Sequence, residues 1–336
     1  MKTAVVLFNL GGPDCQEAVQ PFLKNLFSDP RIIRAPAPIR WLLARLIARR
    51  RAPVAKRIYA RLGGGSPILA NTEAQARALE ARLGGDAKVF VAMRYWHPMV
   101  AEAAAAVKAW GPERIVLLPL YPQFSTTTTE SSLAAWDEAA AMIGLSAPTL
   151  RVCCYPDEAG FVAATIPLIE DALGRAQGRA RLLFSAHGLP KRIVDAGDPY
   201  PFQIVRSVDA VMTALGRPVD HVICYQSRVG PLQWIGPSTE AEVISAARDK
   251  VTAIVVPISF VSEHSETLVE LDEEYRALAE AAGAPGFIRV PTVSIDRSFI
   301  AGLAVLANRP ATGLCSGAGG RICPAVYSRC PHGAKP

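Results

Sequence analysis

Apolar positions along the chain follow two alternating periods. Short continuous apolar runs recur at 3–8, 88–93, 114–120, 149–154, 181–186, 221–226, 251–258 and 287–291. Between them the apolar residues take a helical period, over 16–27, 67–83, 98–109, 130–143, 158–174, 200–215, 239–248, 264–282 and 296–308. Runs of the first kind bounded by turn residues read as buried strands, and those of the second as helices. Their alternation predicts an α/β chain whose parallel sheets are covered on both faces. The eight strands fall into two groups of four, with a break near 155–178. The expected fold is therefore two similar α/β halves, each with a four-stranded parallel sheet, and a cleft between them. The length of 336 residues suits two domains of roughly 150 residues each. The expected boundaries are 1–160, 161–310 and a cysteine-rich tail at 311–336.

One segment breaks the pattern. Ile39, Leu42, Leu43, Leu46 and Ile47 form a helical stripe flanked by Arg40, Arg45 and Arg49, with Trp41 near its start. Charge sharpens this picture. The formal net charge is +6, yet ten basic residues and no acid lie between Arg31 and Arg61, and the remainder is mildly acidic. A basic amphipathic helix with an aromatic residue suits an anionic bilayer surface, and a helix packing its stripe on the core fits the same pattern. Basic residues elsewhere are dispersed and no zinc-finger or RNP pattern occurs, so nucleic acid is not an expected partner. No run approaches 18 uncharged apolar residues, so no transmembrane helix is expected.

The N-terminal run Thr3–Phe8 is short and leads into Asn9-Leu10-Gly11-Gly12-Pro13, which reads as a first strand and turn rather than a signal peptide. A cytoplasmic location follows. Seven cysteines in a reducing compartment argue against disulfides. Cys15 and Cys224 read as buried packing residues. Cys153 and Cys154 are adjacent, and Cys315, Cys323 and Cys330 lie in a tail rich in Gly and Pro. Three thiolates in a tail with little apolar material suggest a metal staple, zinc or an iron–sulfur cluster, with a fourth ligand from Cys153, Cys154 or His332. Three unligated thiols fit the same residues.

Ligands of parallel sheets bind beyond the carboxyl ends of the strands. There is no Gly-x-Gly-x-x-Gly after a strand and no Gly-x4-Gly-Lys-Ser/Thr, so no nucleotide cofactor is expected. Strand 181–186 runs into His187-Gly188-Leu189-Pro190, a turn able to present an imidazole; a structural histidine would read the same. Strand 251–258 leads to Glu263-His264-Ser265-Glu266, and the next helix carries Glu266, Glu270 and Glu274. Four-residue steps drift around an α-helix, whereas a π-bulge brings them nearly into line. Such a row beside a His/Glu pair could relay protons or escort a divalent cation; a solvated acidic face is the alternative, weakened by the absence of Lys or Arg before Arg276. The loop Cys224–Pro237 presents Trp234 as an aromatic wall, and Met93–Pro98 ends a strand similarly.

The ordered motifs Asn9-Leu-Gly-Gly-Pro13, Arg61-Leu-Gly-Gly-Gly-Ser-Pro67, Met93-Arg-Tyr-Trp-His-Pro98, Tyr121-Pro-Gln-Phe-Ser125, Phe184-Ser-Ala-His-Gly-Leu-Pro190, Tyr225-Gln-Ser-Arg-Val-Gly-Pro231 and Pro257–Thr267 resemble the ferrochelatase family over about 3–308. The resemblance implies two Rossmann-like, doubly wound halves with the porphyrin in the cleft between them, and an enzyme, a lyase inserting Fe2+ into protoporphyrin IX with release of two protons. It implies His187 and Glu266 as the central pair on either side of the macrocycle, both candidate ligands of the Fe2+ substrate. Glu270 and Glu274 would continue the track and His264 would support Glu266. Arg51, Tyr59 and Ser66 match positions that hold the propionates, and Tyr95, Trp234 and Phe260 would wall the pocket. Animal members bind a [2Fe–2S] cluster through a tight Cys-x2-Cys-x4-Cys tail and a cysteine in the Tyr-Pro-Gln-Tyr-Ser segment. Here Thr126 stands in that cysteine's place and the tail reads Cys-x7-Cys-x6-Cys. The expectation for this chain is a [2Fe–2S] cluster on Cys315, Cys323, Cys330 and one of Cys153 and Cys154, with zinc as the alternative. The stretch 36–51 would form a lip for the porphyrin and the inner-membrane surface, making the protein peripheral; a homodimer stays open. The competing readings are a chelatase for coproporphyrin or another tetrapyrrole, and a non-enzymatic haem-binding or iron–sulfur sensing protein.

Overall fold

The computed structural model describes residues 1–228, 230 and 232–333. The chain divides into two compact units, Met1–Cys154 with Ala304–Cys315, and Tyr155–Leu303 with Ser316–Pro336.

In the first unit the order is β1 (Thr3–Asn9), α1 (Val19–Ser28), α2 (Ala37–Arg61), α3 (Ile68–Leu83), β2 (Ala87–Met93), α4 (Val100–Trp110), β3 (Arg114–Pro119), α5 (Thr129–Met142) and β4 (Thr149–Cys154). The sheet runs β2-β1-β3-β4. Parallel pairing sets Phe8 against both Ala92 and Pro119. β1 and β3 are continuous apolar runs because both of their faces are covered, and Ala4 to Phe8 are fully buried. One face packs Val6, Phe8 and Leu117 against Val100, Ala104 and Trp136 of α4 and α5.

The second unit repeats this plan with α6 (Ala159–Arg175), β5 (Ala180–His187), a short α7 (Lys191–Asp195), α8 (Tyr200–Leu215), β6 (His221–Gln226), α9 (Thr239–Arg248), β7 (Thr252–Pro257), a π-helix (Glu266–Glu274), α10 (Tyr275–Ala281), β8 (Phe287–Arg289) and α11 (Arg297–Ala307). Its sheet runs β6-β5-β7-β8, and Ser185 lies against both Cys224 and Pro257. Each half therefore turns at the gap between its first and third strand, the topological switch point. A further strand, β9 (Gly313–Ser316), follows β4 in the first sheet, making that sheet five-stranded rather than four. Four residues flanked by Gly and Pro carry too little pattern to announce a strand.

The basic segment departs from expectation. α2 runs unbroken from Ala37 to Arg61, through Pro53, well past the expected lip at 36–51. Its buried face is Ala44, Ala48, Ala52 and Tyr59, set against Val19, Phe22 and Leu23 of α1. Small alanines at four-residue steps let two helices approach closely. The leucine stripe consequently points away from the core: Ile39, Trp41, Leu42 and Leu46 are 53%, 52%, 62% and 44% exposed. Arg45 stacks its guanidinium 4.0 Å over Trp41. Among the described residues, no helix is long and apolar enough to cross a membrane.

Candidate functional site: a His–Glu pair at a strand end

β5 ends on His187, whose backbone N–H donates to Ser259 Oγ at 3.2 Å. A Cβ on Gly188 would lie 2.7 Å from the Gln226 carbonyl oxygen and 3.3 Å from the Trp234 ring, so the turn after His187 has room only for glycine. Trp234 is held beside it by Lys191 N–H to Gln233 O (2.8 Å) and Ile235 N–H to Leu189 O (3.0 Å). Val229 and Pro231 of the same loop lie outside the described residues.

His187 Nδ1 donates to Glu266 Oε2 at 2.9 Å. Their side chains are 40% and 22% exposed, so the pair is reachable from solvent. The resemblance sets these groups on opposite sides of a macrocycle; here they touch directly, and a planar ring entering between them must part them. Glu266 opens the π-helix, whose wider turn keeps Glu270 on the same side. Ser227 bridges the two carboxylates. Its Oγ lies 3.1 Å from Glu266 Oε2 and 2.6 Å from Glu270 Oε2, and its backbone N–H donates to Glu270 Oε1 at 2.7 Å. That aim comes from a left-handed backbone, φ 61°. Gln226 is oriented by Ser185, whose hydroxyl donates to its Oε1 at 2.8 Å. Tyr275 closes the series, its hydroxyl donating to Glu270 Oε1 at 2.9 Å. Glu274 is exposed. His264 is buried, its Nδ1 donating to Ser262 O at 3.0 Å, and its ring lies 4.7 Å from that of Phe260.

The charges reinforce one another. Burial pushes the His187 imidazolium toward losing its proton, but the adjacent carboxylates of Glu266 and Glu270 outweigh it and hold the imidazole above its ordinary value. Burial raises Glu266 too, and is overcome by His187, His264 and the Ser227 hydrogen bond, leaving it at about 2. Glu270 is pushed up to about 7 by burial and by the Glu266 charge. The pair thus favours an imidazolium facing a carboxylate, next to a Glu270 carboxyl raised toward neutrality.

Sequence reasoning missed Ser227, Gln226 and Tyr275. Ser227 had a signal, since it stands just past the carboxyl end of β6. Tyr275 had one as well, lying five residues after Glu270 where a π-helix brings its i and i+5 residues together.

The first unit holds the other candidates. Arg51 and Ser66 are half-buried; Ser66 donates its N–H to Pro13 O at 2.7 Å and packs on Gly12. Tyr59 belongs to the core cluster against α1. Tyr95, expected on a pocket wall, is instead 1% exposed in that same cluster, because its hydroxyl donates to the buried Asp29 at 2.8 Å.

Among the cysteines, Cys224 is buried as expected, whereas Cys15 is exposed. Cys153 and Cys154 are buried with sulfurs 3.5 Å apart. Cys315 is buried; burial raises its thiol, Arg309 and Arg114 oppose this, and the charge of Cys154 also acts on it. In the second unit Gln203 donates to Cys323 Sγ at 3.2 Å. Cys330 falls to about 6, chiefly through a hydrogen bond from Cys323. Among the described residues, no three His, Cys, Asp or Glu side chains are gathered as a ready metal site.

Comparison with known proteins places these features in context. A ferrochelatase family model matches residues 2–310. Curated ferrochelatases of Hyphomonas neptunium and Caulobacter vibrioides are 50% and 51% identical to this chain, over 98% of it and 95% and 97% of their own lengths. The sirohydrochlorin chelatase SirB of Bacillus subtilis subspecies spizizenii, crystallised with cobalt, superposes with a TM-score of 0.56. That match is 14% identical and covers 92% of this chain and 97% of the other, a likeness of fold alone.

Proposed function

This chain belongs to the ferrochelatase family, and we infer from that membership and from its His–Glu pair that it inserts Fe2+ into protoporphyrin IX to form protohaem, releasing two protons. The observation that carries the chemistry is the hydrogen-bonded series His187–Glu266–Ser227–Glu270 at the carboxyl ends of β5 and β6. Two pyrrole protons must leave as the metal enters. A flat macrocycle shields its nitrogens, so binding its periphery supplies the ~1–5 kcal/mol that bends it and exposes a lone pair. A ring that parts His187 from Glu266 removes the carboxylate that holds the imidazole protonated. The freed imidazole becomes the base for a pyrrole proton, and Glu266 becomes an anionic oxygen for the metal or a second proton. Glu270, poised at about 7, takes protons onward. Mixing the protein anaerobically with Fe2+ or Zn2+ and protoporphyrin or coproporphyrin should quench free-porphyrin fluorescence, fastest with protoporphyrin. No turnover with any pair would favour a binding protein on the same fold.

The exposed stripe Ile39, Trp41, Leu42 and Leu46, set among arginines, supports peripheral attachment to an anionic membrane. Leu42→Glu with Leu46→Glu should abolish sedimentation with phosphatidylglycerol vesicles while leaving turnover of detergent-dispersed porphyrin intact. Unchanged sedimentation would remove the lip from membrane binding.

We further propose a [2Fe–2S] cluster held by Cys315, Cys323, Cys330 and one of Cys153 and Cys154, although among the described residues these side chains are not gathered as a ready site. All are buried sulfurs, and Cys330 is already biased to the thiolate that ligates iron. Such a cluster supplies a one-electron redox centre and ties down the tail. The purified protein should then absorb in the visible and release acid-labile sulfide; a colourless, sulfide-free protein containing zinc would assign the tail to zinc instead.

A further inference from the structure

The π-helix that carries Glu266 and Glu270 is gripped at both ends by one side chain. Arg289, the last residue of β8, is 11% exposed, so water screens its ion pairs little. Its Nη1 donates to Glu263 Oε1 at 2.9 Å and its Nε to Asp272 Oδ2 at 3.1 Å. Glu263 stands three residues before Glu266, and Asp272 two after Glu270. A single guanidinium therefore brackets the segment that holds both site acids. Each arm of this clamp has further ties. Glu263 Oε1 also accepts the Thr292 N–H at 2.9 Å. Its Oε2 accepts the Thr267 hydroxyl, whose oxygen in turn accepts the His264 N–H at 3.0 Å. Asp272 Oδ1 accepts from Arg276 Nη2 at 2.5 Å, and Arg276 Nη1 donates to the Phe287 carbonyl of β8 at 3.0 Å. Both ends of the π-helix are thus tied to β8 and the segment that follows it. The two carboxylates and two guanidiniums of this network balance one another. Glu266 and Glu270 take their contacts from other groups, His187, Ser227 and Tyr275.

We propose that Arg289 is a positioning residue for metal insertion: by gripping Glu263 and Asp272 together it maintains the π-helix, and so keeps Glu266 and Glu270 on the two sides of the Ser227 hydroxyl. This rests on the metal-insertion reading above. A π-helix is a rare conformation, and a segment released from its ties relaxes toward the commoner α-helical turn. The row of acids then loses the alignment that lets one serine serve both carboxylates. Arg289 acts only through these acids, from the opposite end of two ion pairs. The planar, rigid fork of a guanidinium suits the task, because it holds two carboxylates at a fixed separation, whereas the single ammonium of a lysine is a point charge on a flexible stem. A group displaced by about 1 Å at a reacting centre loses about a hundredfold in rate, so a clamp that touches no substrate still governs turnover.

Arg289→Met should lower kcat for Fe2+ insertion about tenfold to a hundredfold while leaving KM for porphyrin and metal unchanged. Arg289→Lys should recover part of the loss, since an ammonium can keep one of the two arms. Asp272→Ala removes one arm at a side chain that is 30% exposed, and should show a smaller loss in the same direction. It decides the matter if Arg289→Met does not fold. In a Glu270→Gln background Arg289→Met should cost little more, because an acid that it positions is already gone, whereas a general packing defect would multiply the two losses. Wild-type kcat in Asp272→Ala and in whichever Arg289 variant folds, or losses that multiply in full with Glu270→Gln, would overturn the proposal. A second readout needs no turnover. Amide hydrogen exchange over 263–276, followed by mass spectrometry, should quicken in Arg289→Met and Asp272→Ala while peptides of the first unit keep their wild-type rates. Unchanged exchange over 263–276 would overturn the clamp. An inactive wild type whose variants exchange faster there would count against metal insertion and leave the clamp standing.

Discussion

His187→Ala will lower the rate of Fe2+ insertion by about 10²–10⁴-fold, the range expected for loss of a positioned acid–base group. Glu266→Gln will fall in the same range, because it removes the charge and keeps the shape. Both proteins should fold, since each side chain is partly exposed and neither belongs to the core. The two variants differ in a way that separates their roles. In Glu266→Gln the imidazole loses the partner that holds it above its ordinary value, so its NMR titration should move down toward about 6.5 or below. For the wild-type pair the sign follows from a raised histidine. Its contribution to stability is complete below pH ~6.5 and fades as pH rises through the higher native value. Anaerobic single-turnover fluorescence at several pH values, alongside thermal unfolding, measures both effects. Near-wild-type turnover in either variant would remove that residue from the chemistry.

Asp29→Ala will destabilise the first unit by about 3 kcal/mol, the lower end for leaving a partner charge buried without its counterion. The Asp29 side chain has no exposure, while that of Arg94 is 20% exposed. Arg94 Nη2 donates to Asp29 Oδ2 at 2.8 Å, the Tyr95 and Ser131 hydroxyls donate to the same oxygen, and the Arg31 N–H donates to Oδ1. One carboxylate thus ties the end of α1, the segment after β2 and the start of α5. Burial raises its pKa, but these donors outweigh burial and hold it below the ordinary carboxyl value. The stabilisation is therefore present above pH ~3.9 and is lost as pH falls through the lower native value. At about 2–4 °C per kcal/mol, the expected fall in Tm is about 6–12 °C. Asp29→Asn should recover part of it, since an amide oxygen still accepts one donor. A fall under about 1 kcal/mol in urea unfolding would mean that Arg94 reaches solvent when its partner is gone.

Much of this architecture is written in local pattern. Val5 to Leu7 and Ile254 to Val256 are apolar at every position, which a strand covered on both faces requires. The four-residue spacing of Glu266, Glu270 and Glu274 suggested a π-bulge as a way to bring them nearly into line, and a π-helix spans Glu266–Glu274. Three features resisted reading for physical reasons. The α2 stripe left a membrane lip and a core face both open, since amphipathic periodicity does not say which side is wet; the side that packs is the alanine one and the stripe is exposed. Tyr95 sits in a motif of pocket residues, yet a buried acid far back in the chain claims its hydroxyl. Ser227 gains its place from a left-handed backbone that serine rarely takes, so composition does not flag it.

The two sheets share one strand order and one register, with Phe8, Ala92 and Pro119 paired as Ser185, Cys224 and Pro257 are. Counting outward from these residues sets Leu10 in the place of His187, Thr128 in that of Glu266 and Ser132 in that of Glu270, Thr128 standing nine positions after Pro119 as Glu266 stands nine after Pro257. The two halves therefore share a plan without sharing a chemistry. The second holds acids and an imidazole at its switch point, and the first holds an aliphatic residue and hydroxyls there. A hybrid carrying His and Glu at Leu10 and Thr128 would ask whether the common topology is enough to bring such a pair together.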